Sequence, residues 1–228
     1  MFINRLKTIV RKIPGIPPII FRVKESWAYF IWTLRGKPPG DVYSFYKRHR
    51  LIHEGKRHGC STLVETGTFL GGTVRAARPH FQRILSVELS PQLHLQVLKR
   101  FGNAQNVKLW QGDSGKIMPE MLRHIIGRAI FWLDGHYSGG ITARGDNDCP
   151  IVHELEAIGR LEQKDNVILI DDARCYGQLS GYPSQEEVRR LLFSINRDYQ
   201  VTVEDDCIIA RPISLTNTML DKSSTCET

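Results

Sequence analysis

The chain has 228 residues, 41% of them hydrophobic, and 31 Lys/Arg against 24 Asp/Glu give a net charge of +7. That length suits one ordinary domain with a short appendage, and the composition is that of a soluble globular protein. No apolar run reaches the roughly 18 residues that a membrane span needs, and there is neither an internal repeat nor a low-complexity tract.

Residues 1–58 read as a basic N-terminal arm, because they hold 13 of the 31 Lys/Arg and 3 of the 24 Asp/Glu. Such an arm suits nucleic acid, a membrane surface or an acidic partner, or is simply a solvated extension. The stretch IPGIPPII is broken by Pro14, Pro17 and Pro18, and no small-residue cleavage site follows, so no secretory signal is read. The first 24 residues lack acid, as transit peptides do, but they also lack Ser. In ESWAYFIWTLRG, Trp27, Phe30, Ile31 and Leu34 fall at helical spacing. Residues 1–36 are therefore a candidate peripheral membrane contact, the alternative being a helix packed on its own domain. His49 and His53 sit at i, i+4 without a zinc-helix glutamate, and His153-Glu154 has no second histidine, so both read as solvated faces. The five cysteines, Cys60, Cys149, Cys175, Cys207 and Cys226, are odd in number and form no C-x-x-C pair. They argue for a reducing, cytoplasmic compartment and against a disulfide framework or a zinc site.

From residue 59 to 212 short apolar runs alternate with amphipathic stretches. STLVET is a first strand, followed by a helix from Gly71 to about Pro79. RILSVEL is a second strand, and Ser90-Pro91 caps a helix lined by Leu93, Val97 and Phe101. NVKLWQGD is a third strand and KIMPEMLRHI a short helix. RAIFWLD is a fourth strand, and Pro150 opens a helix carrying Ile151, Leu155 and Ile158. NVILIDD is a fifth strand, and Ser184 to Glu187 form a capping box ahead of Val188, Leu191, Leu192 and Ile195. YQVTVED and DCIIARP are two strands joined by a tight turn, and residues 213–228 are a polar tail. The pattern predicts an α/β fold with a doubly wound, mostly parallel seven-stranded sheet, an antiparallel ending and an N-terminal helical arm.

Ligands of open sheets bind at the carboxyl ends of the strands. Those ends carry Glu65 with Gly67, Glu88, Asp113, Asp134 with His136, and Asp171 with Asp172. The turn ETGTFLGGT supplies Gly67, Gly71 and Gly72 for close backbone approach, but its spacing is neither G-x-G-x-x-G nor a P-loop. Glu88, 21 residues after Gly67, stands where an acid accepts both hydroxyls of a ribose, and Asp113 could face an adenine edge. Together they describe a nucleoside site without a phosphate site. Adjacent strand ends lie about 4.8 Å apart, so Asp134 and Asp171 can converge with Asp172 on a hard divalent cation such as Mg²⁺.

These motifs resemble the class I S-adenosylmethionine (SAM) methyltransferases, and in particular the metal-dependent O-methyltransferases of the catechol and macrolide-sugar types. ETGTFLGGT is similar to their pattern E-x-G-x-[YF]-x-G-x-[ST], SVELSP to their ribose turn and GDS to their adenine-side turn, over residues 60–212. The resemblance implies a seven-stranded methyltransferase fold with SAM as donor. It implies donor contacts from Glu65, Gly67, Thr68, Gly71, Glu88, Asp113, Ser114 and Asp134. It also implies Mg²⁺ at Asp134, Asp171 and Asp172, with His136 as the base that takes the acceptor's proton. Where catechol-type enzymes place a lysine this chain has Tyr137, which counts against a catechol, while the Asp171-Asp172 pair and Asp134-Gly135-His136 favour a sugar or other small-molecule hydroxyl. The glycine-rich loop YSGGITARGDND reads as a lid or substrate loop, with Arg144 and Arg174 as candidate anion contacts.

Three competing readings stay open. An RNA methyltransferase would use the basic arm, although no aromatic base pocket of the N-P-P-Y kind follows the fourth strand. A nicotinamide-dependent oxidoreductase has the wrong turn spacing here. A membrane-attached module could keep the fold without the chemistry. Self-association is not readable from the sequence.

Overall fold

The computed structural model describes residues 44–135 and 149–213. The aromatic stripe of the arm, His136, Arg144, the loop over 137–148 and the tail from 214 lie outside the described residues.

Among the described residues, seven strands and six α-helices follow one another: α1 (Ser44–Arg57), β1 (Thr62–Thr66), α2 (Gly72–Ala77), β2 (Arg83–Glu88), α3 (Pro91–Phe101), β3 (Val107–Gln111), α4 (Ser114–Leu122), β4 (Ala129–Leu133), α5 (Ile151–Gly159), β5 (Val167–Asp171), α6 (Gln185–Ile195), β6 (Tyr199–Glu204) and β7 (Cys207–Pro212). They form one sheet in the order β3-β2-β1-β4-β5-β7-β6. Only β7 runs against its neighbours β5 and β6. β1, β4 and β5 are buried along their whole length, which is why β4 and β5 read as continuous apolar runs.

The period of two sends alternate residues to opposite faces. Val64, Leu85, Phe131 and Ile168 pack with α4, α5 and α6 on one side. Leu63, Ile84, Ile130 and Leu169 pack with Leu51 of α1, Val74 of α2 and Val97 of α3 on the other. Helix starts follow local chemistry. Ser90 Oγ accepts the Leu93 amide with Pro91 in the first turn, and Ser184 and Glu187 close a reciprocal capping box. α4 opens at Ser114, two residues before the apolar stretch suggests, because the Asp113 carboxylate accepts the Gly115 amide and starts it there.

The compact unit begins at Arg48, inside the span that composition alone assigns to the arm. Leu51 is fully buried in the core. Arg211 of β7 donates to both Glu54 oxygens at 3.0 and 3.1 Å and to Glu204 at 2.9 Å, so one guanidinium joins α1, β6 and β7. The β6–β7 turn holds Asp205 and Asp206 at φ of 47° and 62°, the left-handed pair that a two-residue I′ hairpin requires. Asp205 is ion-paired with Arg50 of α1, and Asp206 with Arg174, just past β5. Among the described residues, no helix is long and apolar enough to cross a membrane.

Candidate functional site

β1 lies between β2 and β4, so the chain winds one way from β1 to β3 and the other way from β4 onward. The crevice of such a sheet opens at this switch, above the ends of β1 and β4. Two close approaches shape it. Gly67 has φ +80°, and a Cβ there would stand 2.2 Å from the Asp134 carbonyl oxygen, so the turn after β1 can rest against the end of β4 only with glycine. A Cβ on Gly135 would meet Ser114 Oγ, Glu154 Oε1 and Thr66 Oγ1 at 3.0 to 3.2 Å. Gly71 precedes α2 in the left-handed region.

Glu65 is 1% exposed and pairs in register with Ser86 on β2. Ser86 Oγ donates to Glu65 Oε2 at 2.6 Å, and Thr68 Oγ1 lies 2.6 Å from Ser86 Oγ. Burial, helped by the nearby charge of Glu88, pushes the Glu65 carboxyl up to about 7 against the opposing hydrogen bonds. Glu88, also buried, accepts the Phe69 amide at 2.7 Å and the Ser90 amide at 2.9 Å, one on each oxygen. It thereby fixes the first turn against the start of α3, and each oxygen keeps a second acceptor direction for a ligand hydroxyl. Phe69 itself sits at φ 50° and is 38% exposed at the rim.

Asp113 is half-buried and engaged as the α4 cap, with buried Ser114 beside it. The Asp134 amide donates to the carbonyl and the hydroxyl of Thr66, at 3.3 and 3.1 Å, which ties β4 to β1 at the crevice floor. The structure thus brings Gly67, Asp134 and Ser114 to one crevice, flanked by Glu65, Thr68 and Glu88.

The three acids read as a cation site are arranged differently. β4 and β5 are neighbours, with Leu133 opposite Ile170, so Asp134 and Asp171 end adjacent strands. Asp171 Oδ1, however, accepts the Asp172 amide at 2.7 Å. Asp172 turns left-handed at φ 52°, and Arg174 donates to its Oδ1 at 2.9 Å. Among the described residues no group of three or more His, Cys, Asp or Glu side chains is placed to hold a metal ion. In this arrangement the trio does not fit Mg²⁺, because a guanidinium stands on the third acid. Arg174 is thereby held between Asp172 and Asp206.

Three residues at the crevice escape the sequence reading. Thr66 and Ser86 carry their signal only as small hydroxyls among the buried residues of β1 and β2. Glu154, read with His153 as a solvated face, is 1% exposed, whereas the His153 side chain is 57% exposed. The correction was legible: Ile151, Glu154, Leu155 and Ile158 follow i, i+3, i+4, i+7, so the acid lies in the buried stripe. Glu154 lines a small pocket with Gly135, Cys149, Ile151 and Tyr176. Burial pushes the Cys149 thiol up to about 11, so it stays protonated at neutral pH and serves as packing rather than as a nucleophile.

No family model and no curated relative matches the chain. Solved structures do. An O-methyltransferase from Bacillus cereus in complex with S-adenosylhomocysteine superposes with a TM-score of 0.54 at 13% identity, covering 90% of this chain and 94% of that one. A methyltransferase from Podospora anserina, also bound to S-adenosylhomocysteine, gives 0.51 at 15% identity over 93% and 96%. The O-methyltransferase of tomaymycin synthesis from Streptomyces achromogenes, bound to SAM, gives 0.50 at 16% identity over 83% and 89%. The fold is that of the class I methyltransferases: a seven-stranded Rossmann-like sheet with its last strand reversed.

Proposed function

We propose that the chain is a SAM-dependent methyltransferase acting on a hydroxyl of a small molecule or sugar. The observation that carries this reading is the crevice at the β1–β4 switch. A turn that admits only glycine at Gly67 lies against Asp134, with Glu88 holding the same turn from the other side. The chain's fold is shared with proteins solved with SAM or its demethylated product bound.

The donor supplies an electrophilic methyl group on a sulfonium sulfur. Glu88, already oriented by two amides, would accept the ribose hydroxyls. The backbone from Gly67 to Gly71 would pass beneath the amino-acid portion, with Thr68 and Glu65 behind it. Asp113 and Ser114 border the adenine side, and Asp134 closes the floor. Holding donor and acceptor in line accounts for much of the acceleration such a transfer needs. The acceptor hydroxyl must lose its proton, and His136, two residues past Asp134 in the sequence, is the base in this reading.

Mg²⁺ assistance is the finer part of the reading. The adjacency of β4 and β5 supports it. It requires Asp172 to leave Arg174. Calorimetric titration with SAM, with and without Mg²⁺, followed by a hydroxyl-acceptor screen with isotopically labelled SAM, tests both levels. Expected are saturable SAM binding and labelled product from a hydroxyl acceptor. Absence of SAM binding would overturn the whole reading. Undiminished turnover in chelator would remove the metal alone.

A further inference from the structure

Resting on the donor site just proposed, we infer that Glu65 couples donor binding to proton release: arrival of the cationic donor drives a proton off its carboxyl, so affinity rises with pH across neutrality.

The geometry is a closed polar pocket within an apolar sheet. Glu65 is buried at the end of β1, with Ser86 opposite it in register and Glu88 two residues further on the same face of β2. When Ser86 Oγ donates to Glu65 Oε2, the Thr68 hydroxyl is the donor to Ser86. The relay therefore runs from the first turn inward to the carboxyl. Thr73 of α2 adds a further hydrogen bond to Glu65. Two charged groups face the carboxyl: Glu88 from β2, which repels its anion, and Arg48 from α1, which attracts it. The register partner on β4 is Trp132, which brings no charge. Burial and the second acid outweigh Arg48 and the hydrogen bonds, so the carboxyl keeps its proton until a further positive charge arrives. The donor brings that charge, since it carries one carboxylate, one ammonium and one sulfonium. The event balances as neutral Glu65 plus cationic donor giving the carboxylate–donor pair and one proton, which the buffer takes.

The sign follows from linkage. Free Glu65 holds its proton below about 7, and the bound donor stabilises the anion. Donor affinity therefore weakens as pH falls through that value, by up to about tenfold per unit, and levels off above it.

The test is calorimetric titration of the full chain with SAM at pH 6, 7 and 8, in phosphate and in imidazole, whose ionisation enthalpies differ. Roughly one proton should be released at pH 6, about half at pH 7 and almost none at pH 8. The donor's own amine titrates near about 7.8, so the readout is the difference between wild type and Glu65→Gln. Glu65→Gln should bind SAM without that release and with a Kd nearly flat from pH 6 to 8. Ser86→Ala keeps the carboxyl but removes a hydrogen bond to its anion, and it should move the release to higher pH; this variant carries the test if Glu65→Gln does not fold. Equal heats in the two buffers, with SAM bound, would overturn the inference and leave the donor site standing. Release unchanged in Glu65→Gln, or a profile unmoved in Ser86→Ala, would also overturn it. No SAM binding at any pH would instead remove the donor site, and the inference with it.

Discussion

At the scale of single residues, Glu88 and Asp134 occupy one crevice but carry separable duties. Glu88→Ala strips two backbone amides, of Phe69 and Ser90, of their acceptor. It should cost about 2 kcal/mol in chemical unfolding and weaken SAM binding at least tenfold by calorimetry. Asp134 presents its amide, not its carboxylate, to Thr66. Asp134→Ala should therefore leave the Kd for SAM within about threefold of wild type, and any metal-dependent part of turnover should be lost with its carboxylate. Comparable loss of SAM affinity in both variants would refute this division. The acids themselves were legible because each ends a strand. Their partners were not. Ser86 is one hydroxyl in an apolar run, and nothing in RILSVEL says that it faces Glu65; that fact belongs to the register of β1 on β2. Arg174 on Asp172 is likewise a tertiary event, set by where the β6–β7 turn brings Asp206.

At the scale of elements, α1 is attached to the sheet by a charge network that apolar periodicity does not register. The Arg211 side chain is 12% exposed and that of Glu54 6%. Burial alone would raise the Glu54 carboxyl, but the hydrogen bonds and charge of Arg211, with His58 and Arg57, hold it below its ordinary 4.5. A depressed folded value contributes stability above the unfolded value, and that contribution is lost as pH falls through the folded one. In Arg211→Leu the burial is opposed only by His58 and Arg57, and Glu54 becomes a buried acid stripped of its main partner. The variant should lose about 3–5 kcal/mol at neutral pH. The gap to wild type should narrow as pH drops toward about 4, because protonation relieves the variant while it costs the wild type. Urea midpoints at pH 7 and pH 4 measure this, and a gap that widens in acid would contradict it. Strands and caps, by contrast, were open to reading: Ser90-Pro91 and the Ser184–Glu187 box act within four residues of chain, where pattern and physics coincide.

At the scale of the molecule, the alternation of strand and helix prescribes a parallel sheet, and the close spacing of β6 and β7 prescribes the reversed ending. The strand order is not written in any one segment; it follows from covering both faces of buried strands while keeping crossovers right-handed. Charge marks what is solvated and is silent on packing: α1 carries its charges on a helix whose Leu51 is in the core. SAM at a hundredfold excess over its Kd should stabilise the fold by about 2.7 kcal/mol, a rise in Tm of about 5–10 °C for a domain of this size. NAD at the same concentration should leave Tm unmoved; the reverse pattern would favour an oxidoreductase. One small feature bears on how this fold can change over time. The hairpin tip at Asp205-Asp206 has a backbone that Asn-Gly would occupy more comfortably, yet both carboxylates are moored, to Arg50 and to Arg174. Local ease and long-range anchorage therefore pull in opposite directions at the same two positions. The double exchange D205N/D206G, a routine improvement in most hairpins, should here lower the melting temperature, so any exchange at this tip must reckon with Arg50 and Arg174.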